Sequence, residues 1–112
     1  MIIYISGPIT GHRDAEKKFA EAAQKLTKAG HEVINPFEVN KSIYFLDRED
    51  IMDICLMLVD KSDAIYLLEG WKNSLGANRE YGYALSRDLL IFENDIPEFW
   101  DSGDCLKYNC EL

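Results

Sequence analysis

The chain has 112 residues, enough for one hydrophobic core and not two, and its 47% hydrophobic and 29% charged residues are those of an ordinary globular domain. Twenty acidic residues against twelve basic ones give a net charge of −8. That balance argues against broad binding to nucleic acid or anionic membranes, which depends on Lys and Arg neutralising phosphates, but it leaves room for a small phosphorylated ligand held by local donors.

Residues 2–6 form a short apolar run ended by Gly7-Pro8, which reads as a buried strand stopped by a turn. Asp14 stands where it can cap a first helix whose apolar positions, Ala15, Phe19, Ala22, Leu26 and Ala29, recur at helical spacing. Gly30 follows, where a left-handed turn ends helices. Residues 31–34 read as a second strand, stopped by Asn35-Pro36, and residues 36–46 as a loop with aromatic content. Asp47 caps a second helix with Ile51, Ile54, Cys55, Leu58 and Val59 on one face. Residues 63–68 are the clearest central strand, 69–74 a loop, 75–87 a third helix and 89–92 a fourth strand. The segment beyond Asn94 is acidic and aromatic and is assigned no element.

Strands alternating with helices imply βαβ units with right-handed crossovers. The expectation is an α/β fold, a single domain over residues 1–112, with a doubly wound parallel sheet of four to five strands. Residues 93–112 are expected to form an irregular or oligomer-contacting tail, with Phe99, Trp100 and Tyr108 as docking side chains. In such sheets ligands bind beyond the C-terminal strand ends, at the point where the strand order reverses. Two loops qualify, residues 6–13 and residues 69–77.

The first loop, Ser6-Gly7-Pro8-Ile9-Thr10-Gly11-His12, places two glycines and two hydroxyls between a strand and a helix. Backbone N–H groups there can approach an anion or sugar closely, although a plain turn needing glycine has the same composition. No Gly-Lys-Ser/Thr follows, so it is not a Walker loop. In the second loop, Glu80 shares a helical stripe with Gly76, Ala77, Tyr83 and Ala84. That stripe is small and apolar, and a carboxylate on it is costly without partners or work. The alternative is a surface Glu paired with Arg79 or Arg87.

Tyr4-Ile5-Ser6-Gly7-Pro8, Asp63-Ala64-Ile65 and Ser74-x-Gly76-Ala77-x-x-Glu80-x-x-x-Ala84 resemble the nucleoside 2-deoxyribosyltransferase superfamily, which includes the 2'-deoxynucleoside 5'-monophosphate N-hydrolases. The string Leu-Leu-x-Gly-Trp-x-x-Ser-x-Gly-Ala-x-x-Glu, which marks a small bacterial and phage branch, is matched throughout from Leu67 to Glu80. The resemblance covers about residues 1–93. It implies a flavodoxin-like, Rossmann-like three-layer sandwich that cleaves an N-glycosidic bond, with Glu80 as nucleophile and Tyr4 positioning it. Ser6, Gly7, Thr10, Gly11, Trp71, Ser74 and Gly76 become the substrate-binding set. Ser74 stands six residues before the nucleophile, where the resemblance puts Ser in monophosphate hydrolases and Asp in transferases of free nucleosides. A Ser there can donate to a phosphate, and it can equally be a helix N-cap. The expected activity is hydrolysis of a 2'-deoxynucleoside 5'-monophosphate. A base-exchanging transferase and a nucleotide-binding protein without turnover are the alternatives.

Two departures stand out. The monophosphate hydrolases carry Ser-Ile-Arg after the first glycine, and this chain has Pro8-Ile9-Thr10. The resemblance also implies an Asp eight residues before Asp63, where this chain has Cys55; Asp53 and Asp60 are nearby but lie on other helical faces. Trp71 is placed either to stack on a nucleobase or to pack over the sheet edge. Tyr44 and Phe45 suit an aromatic lid or packing, His12 adjoins the site, and His31 opens a strand. The acids from Asp47 to Asp50 read as helix-start charges. Cys105 and Cys110 lack a matching His/Cys pair, so no zinc site is expected, and no cofactor or metal. Unpaired cysteines and an apolar start too short for a signal or membrane segment suggest a cytoplasmic protein. The expected partners are a small nucleoside or nucleotide and further copies of the chain, with neither nucleic-acid polymer nor membrane.

Overall fold

The computed structural model describes residues 1–93, and the tail with Phe99, Trp100 and Tyr108, as well as Cys105 and Cys110, lies outside that range. The chain runs β1 (Ile2–Ser6), α1 (Ala15–Lys28), β2 (Glu32–Ile34), α2 (Pro36–Ser42), α3 (Arg48–Asp60), β3 (Ala64–Leu67), a 3-10 turn (Trp71–Asn73), α4 (Leu75–Ser86) and β4 (Leu90–Phe92). The four strands form one sheet in the order β2-β1-β3-β4, every neighbouring pair parallel. This is the expected α/β architecture, compatible with a flavodoxin-like three-layer fold.

Side chains alternate across a strand, so each strand here feeds two cores. Ile3 and Ile5 of β1, with Leu90 and Phe92 of β4, pack against Phe19, Ala22 and Leu26 of α1. Tyr4, Ile65 and Leu67 point the other way and pack with Cys55 and Val59 of α3 and Ala77 and Ala84 of α4. Phe19 and Leu26 are almost fully buried, and each contributes about 1.5–3 kcal/mol relative to exposure. Among the described residues no helix is long and apolar enough to cross a membrane.

Two local expectations are corrected. Residues 36–42 are not loop but helix: Asn35 Oδ1 accepts from Phe37 N at 3.0 Å, and Pro36 occupies the first turn. An N-cap Asn followed by Pro is itself a helix-start signal. Asp14 precedes α1 without capping it through its side chain; its carboxylate pairs with Lys18 at 3.3 Å. Asp47 does cap α3, accepting from Asp50 N at 2.9 Å, and Gly30 adopts the left-handed φ of 96°.

Candidate functional site

The connection from β1 leads outward to β2, and the chain then returns to place β3 on the opposite side of β1. The loops leaving β1 and β3 therefore diverge over a crevice at the C-terminal strand ends. A cavity of about 500 Å³ lies there, walled by the first loop, the N-terminal turns of α3 and α4, and Asn40 of α2. Gly7 lets the first loop lie against β3, because a Cβ at this position would stand 2.8 Å from Leu68 Cβ.

Glu80 reaches this cavity from α4 and is only 6% exposed. The buried residues of α4 are Ala77, Glu80 and Ala84, so two small side chains bring the helix close to the sheet around the carboxylate. Tyr4 and Ser6 are two apart on β1 and share the face that α4 covers. The Tyr4 hydroxyl donates to Glu80 Oε2, and Ser6 Oγ donates to Oε1 at 2.7 Å. Each carboxylate oxygen thus has one buried donor. Burial pushes the Glu80 carboxyl above its ordinary range, while the bonds from Tyr4 and Ser6 pull it back. Burial, then the neighbouring Glu80, hold Tyr4 well above the usual phenol range, so it stays a hydrogen-bond donor.

Cys55 lies on the cavity wall, 4% exposed, its Sγ 3.8 Å from Asn40 Oδ1. Burial raises its thiol, which favours S–H over thiolate. Neither nearby carboxylate takes its place: Asp53 is exposed, and Asp60 pairs with Arg87 at 2.5 Å. The surface alternative for Glu80 fails for the same reason, since Arg87 serves Asp60 and Arg79 lies 3.5 Å from Glu49.

Of the sequence-expected substrate contacts, Gly7, Thr10, Ser74 and Gly76 line the cavity. Ser74 also caps α4, accepting from Ala77 N at 3.2 Å, so its two readings coexist. Ser6 is corrected: it is fully buried beneath the cavity and serves Glu80 instead of contacting the space above. Gly11 sits in an exposed turn with φ 78° and is not on the wall. For Trp71 the structure shows the packing alternative. Its ring packs on Tyr81 with centroids 4.7 Å apart, and its indole N–H donates to Glu93 at 3.1 Å, away from the cavity lining.

Sequence reasoning missed Asn40, Arg48, Met52 and Arg79 on the wall. Asn40 was hidden by the unrecognised α2, and the arginines look like solvated helix charges in one dimension. Asn78 was missed too: its Nδ2 lies 2.8 Å from Ser74 O, 2.9 Å from Lys72 O and 3.3 Å from Trp71 O, which pins the turn that carries Ser74. Among the described residues no group of three or more His, Cys, Asp or Glu is arranged to hold a metal ion.

No curated protein matches the chain in sequence. The family described as Domain of unknown function (DUF4406) matches residues 1–93, the whole of the sheet and its helices, and the chain belongs to that family.

Proposed function

We propose that the protein is an N-glycosidase that cleaves the bond between base and sugar in a 2'-deoxynucleoside 5'-monophosphate. The observation that carries this reading is the Glu80 carboxylate, buried at a 500 Å³ cavity with Tyr4 and Ser6 each donating to one of its oxygens. The sequence resemblance to nucleoside 2-deoxyribosyltransferases, in which this Glu is the nucleophile, supports it.

One carboxylate oxygen of Glu80 attacks the anomeric carbon as the C–N bond breaks, through an oxocarbenium-like transition state. The base departs with the bonding pair and takes a proton from solvent. Water then attacks the same carbon, the ester C–O bond breaks, and Glu80 is released as carboxylate while the water's second proton goes to solvent. The net change consumes one water and yields free base and deoxyribose 5-phosphate. A nucleophile must be ionised, so the donors on Tyr4 and Ser6 offset the burial that would keep Glu80 protonated. Gly7, Thr10, Ser74 and Gly76 on the wall are the sugar and phosphate contacts of this reading.

Chromatography of free base after incubation with a panel of deoxynucleosides and their monophosphates tests it. Base release that survives Glu80→Ala at the parental rate removes the proposal. A second free base diverting product into a new nucleoside would assign base exchange instead. Cys55 favours a further reading, nucleotide binding without turnover, because the resemblance implies a carboxylate at that position. That reading expects nucleotide-dependent thermal stabilisation with no base released.

A further inference from the structure

The cavity carries a charge arrangement that the proposed reaction does not use. Two of the chain's four arginines, Arg48 at the start of α3 and Arg79 on α4, line it, and among the described residues no lysine does. Two carboxylates, Glu49 and Glu80, line the same cavity. A phosphate dianion approaching a chain of net charge −8 needs cations at its destination, and the first loop's residues on the wall, Gly7, Pro8, Ile9, Thr10 and His12, include no lysine or arginine. Arginine suits the task, since its planar fork takes phosphate oxygens in pairs.

The partner that Arg79 has now is a weak one. Its Nη1 lies 3.5 Å from Glu49 Oε1, with side chains 46% and 77% exposed. That is longer than a charge-assisted hydrogen bond and open to solvent on both sides. An incoming phosphate carries the same sign as Glu49 with more charge and more acceptor oxygens.

We infer that Arg48 and Arg79 form the phosphate-binding end of the cavity, and that Glu49 competes with the substrate's phosphate for Arg79. The inference rests on the reading of the cavity as a nucleotide site, and it adds the residues that select a phosphorylated substrate over the free nucleoside. Glu49 is a specificity device: by competing for Arg79 it raises the concentration at which an anion displaces it.

The test is steady-state base release and, in parallel, isothermal titration, each with a deoxynucleoside and its 5'-monophosphate. Arg48→Gln and Arg79→Gln each raise KM and Kd for the monophosphate about tenfold or more, the loss of a charge-assisted bond, and leave both constants for the nucleoside unchanged. Glu49→Gln lowers KM and Kd for the monophosphate alone. Lys28→Gln, which removes an exposed charge at the far end of α1, changes nothing and controls for net charge. Equal shifts for the two ligands, or unaltered constants in the arginine variants while base is still released, overturn the inference and spare the glycosidase reading. Phosphate-dependent binding that needs both arginines in a protein releasing no base upholds the inference and removes the reaction. Failure of the parental protein to bind either ligand removes both.

Discussion

Replacing Tyr4 by Phe removes one of the two bonds that hold the Glu80 carboxylate. Tyr4 is fully buried, and Phe fills the same space without the hydroxyl, so the change removes the bond to Oε2 and the hydroxyl's interaction with Cys55, and little packing. A hydrogen bond to an ionised group is worth about 1.5–3 kcal/mol and one between neutral groups about 0.5–1.5 kcal/mol. The cost of Tyr4→Phe therefore depends on the charge of Glu80. The parental protein sets the baseline. Burial raises the folded carboxyl above its unfolded value, so Glu80's contribution to stability is complete below the ordinary carboxylate range and is lost as pH rises through the raised value. Removing the Tyr4 bond takes away a contribution that holds that value down, so it climbs further and the decline steepens. Urea unfolding at about pH 5 and about pH 8 reads this directly: the variant loses about 1 kcal/mol more at the higher pH than at the lower. Base release falls about ten- to a hundredfold at neutral pH, and its pH profile moves to higher pH. An equal stability loss at both pH values, or an unmoved pH profile, would refute the claim that the hydroxyl serves an ionising carboxylate.

Glu80→Gln keeps the side chain's shape and removes the buried charge; thermal unfolding above neutral pH reads a gain of about 0.5–2 kcal/mol that vanishes in acid, while base release is lost. Gly7→Ala forces a Cβ to within 2.8 Å of Leu68 Cβ, where Leu68 N already bonds Ser6 O at 2.8 Å, so denaturant unfolding shows a loss of about 1–3 kcal/mol. Leu68→Ala does not rescue that loss, because the obstructing atom remains. Asn78→Ala removes the side-chain donor shared by Trp71 O, Lys72 O and Ser74 O, of which Trp71 O and Ser74 O keep the backbone N–H groups of Ser74 and residue 78; hydrogen exchange quickens over residues 71–76, with a global cost of about 1 kcal/mol by unfolding. Trp71→Phe leaves base release unchanged, since the indole faces Tyr81 and Glu93 and not the cavity.

The cavity combines a costly element with its offsets. A carboxylate 6% exposed is destabilising in isolation, yet α4 lies close to the sheet at Ala77 and Ala84, and β1 presents two hydroxyls to it. Those hydroxyls are spent on Glu80, which is why Ser6 does not face the cavity. The turn after Gly70, at φ 87°, starts the 3-10 segment at Trp71, whose ring is buried against the α4 side of the sheet, leaving residues 73–77 as that loop's contribution to the wall.

Local sequence determined the elements, because strand and helix impose periods of two and about 3.6 that survive in one dimension. The apolar residues of α1, the Asp47 cap and the run through β3 were legible on that ground. So was the oddity of Glu80, a carboxylate on a small apolar stripe. The seven residues of α2 carry too few turns to show a period, and only the Asn35-Pro36 start announced them. What the tertiary structure alone decided is which distant groups meet. Tyr4 and Ser6 reach Glu80 across 76 and 74 residues of chain because β1 lies at the middle of a parallel sheet and α4 crosses over it. Arg48 and Arg79 look like ordinary surface charges until α3 and α4 pack side by side and bring both to one cavity. Such meetings depend on strand order and helix packing, which no local pattern encodes.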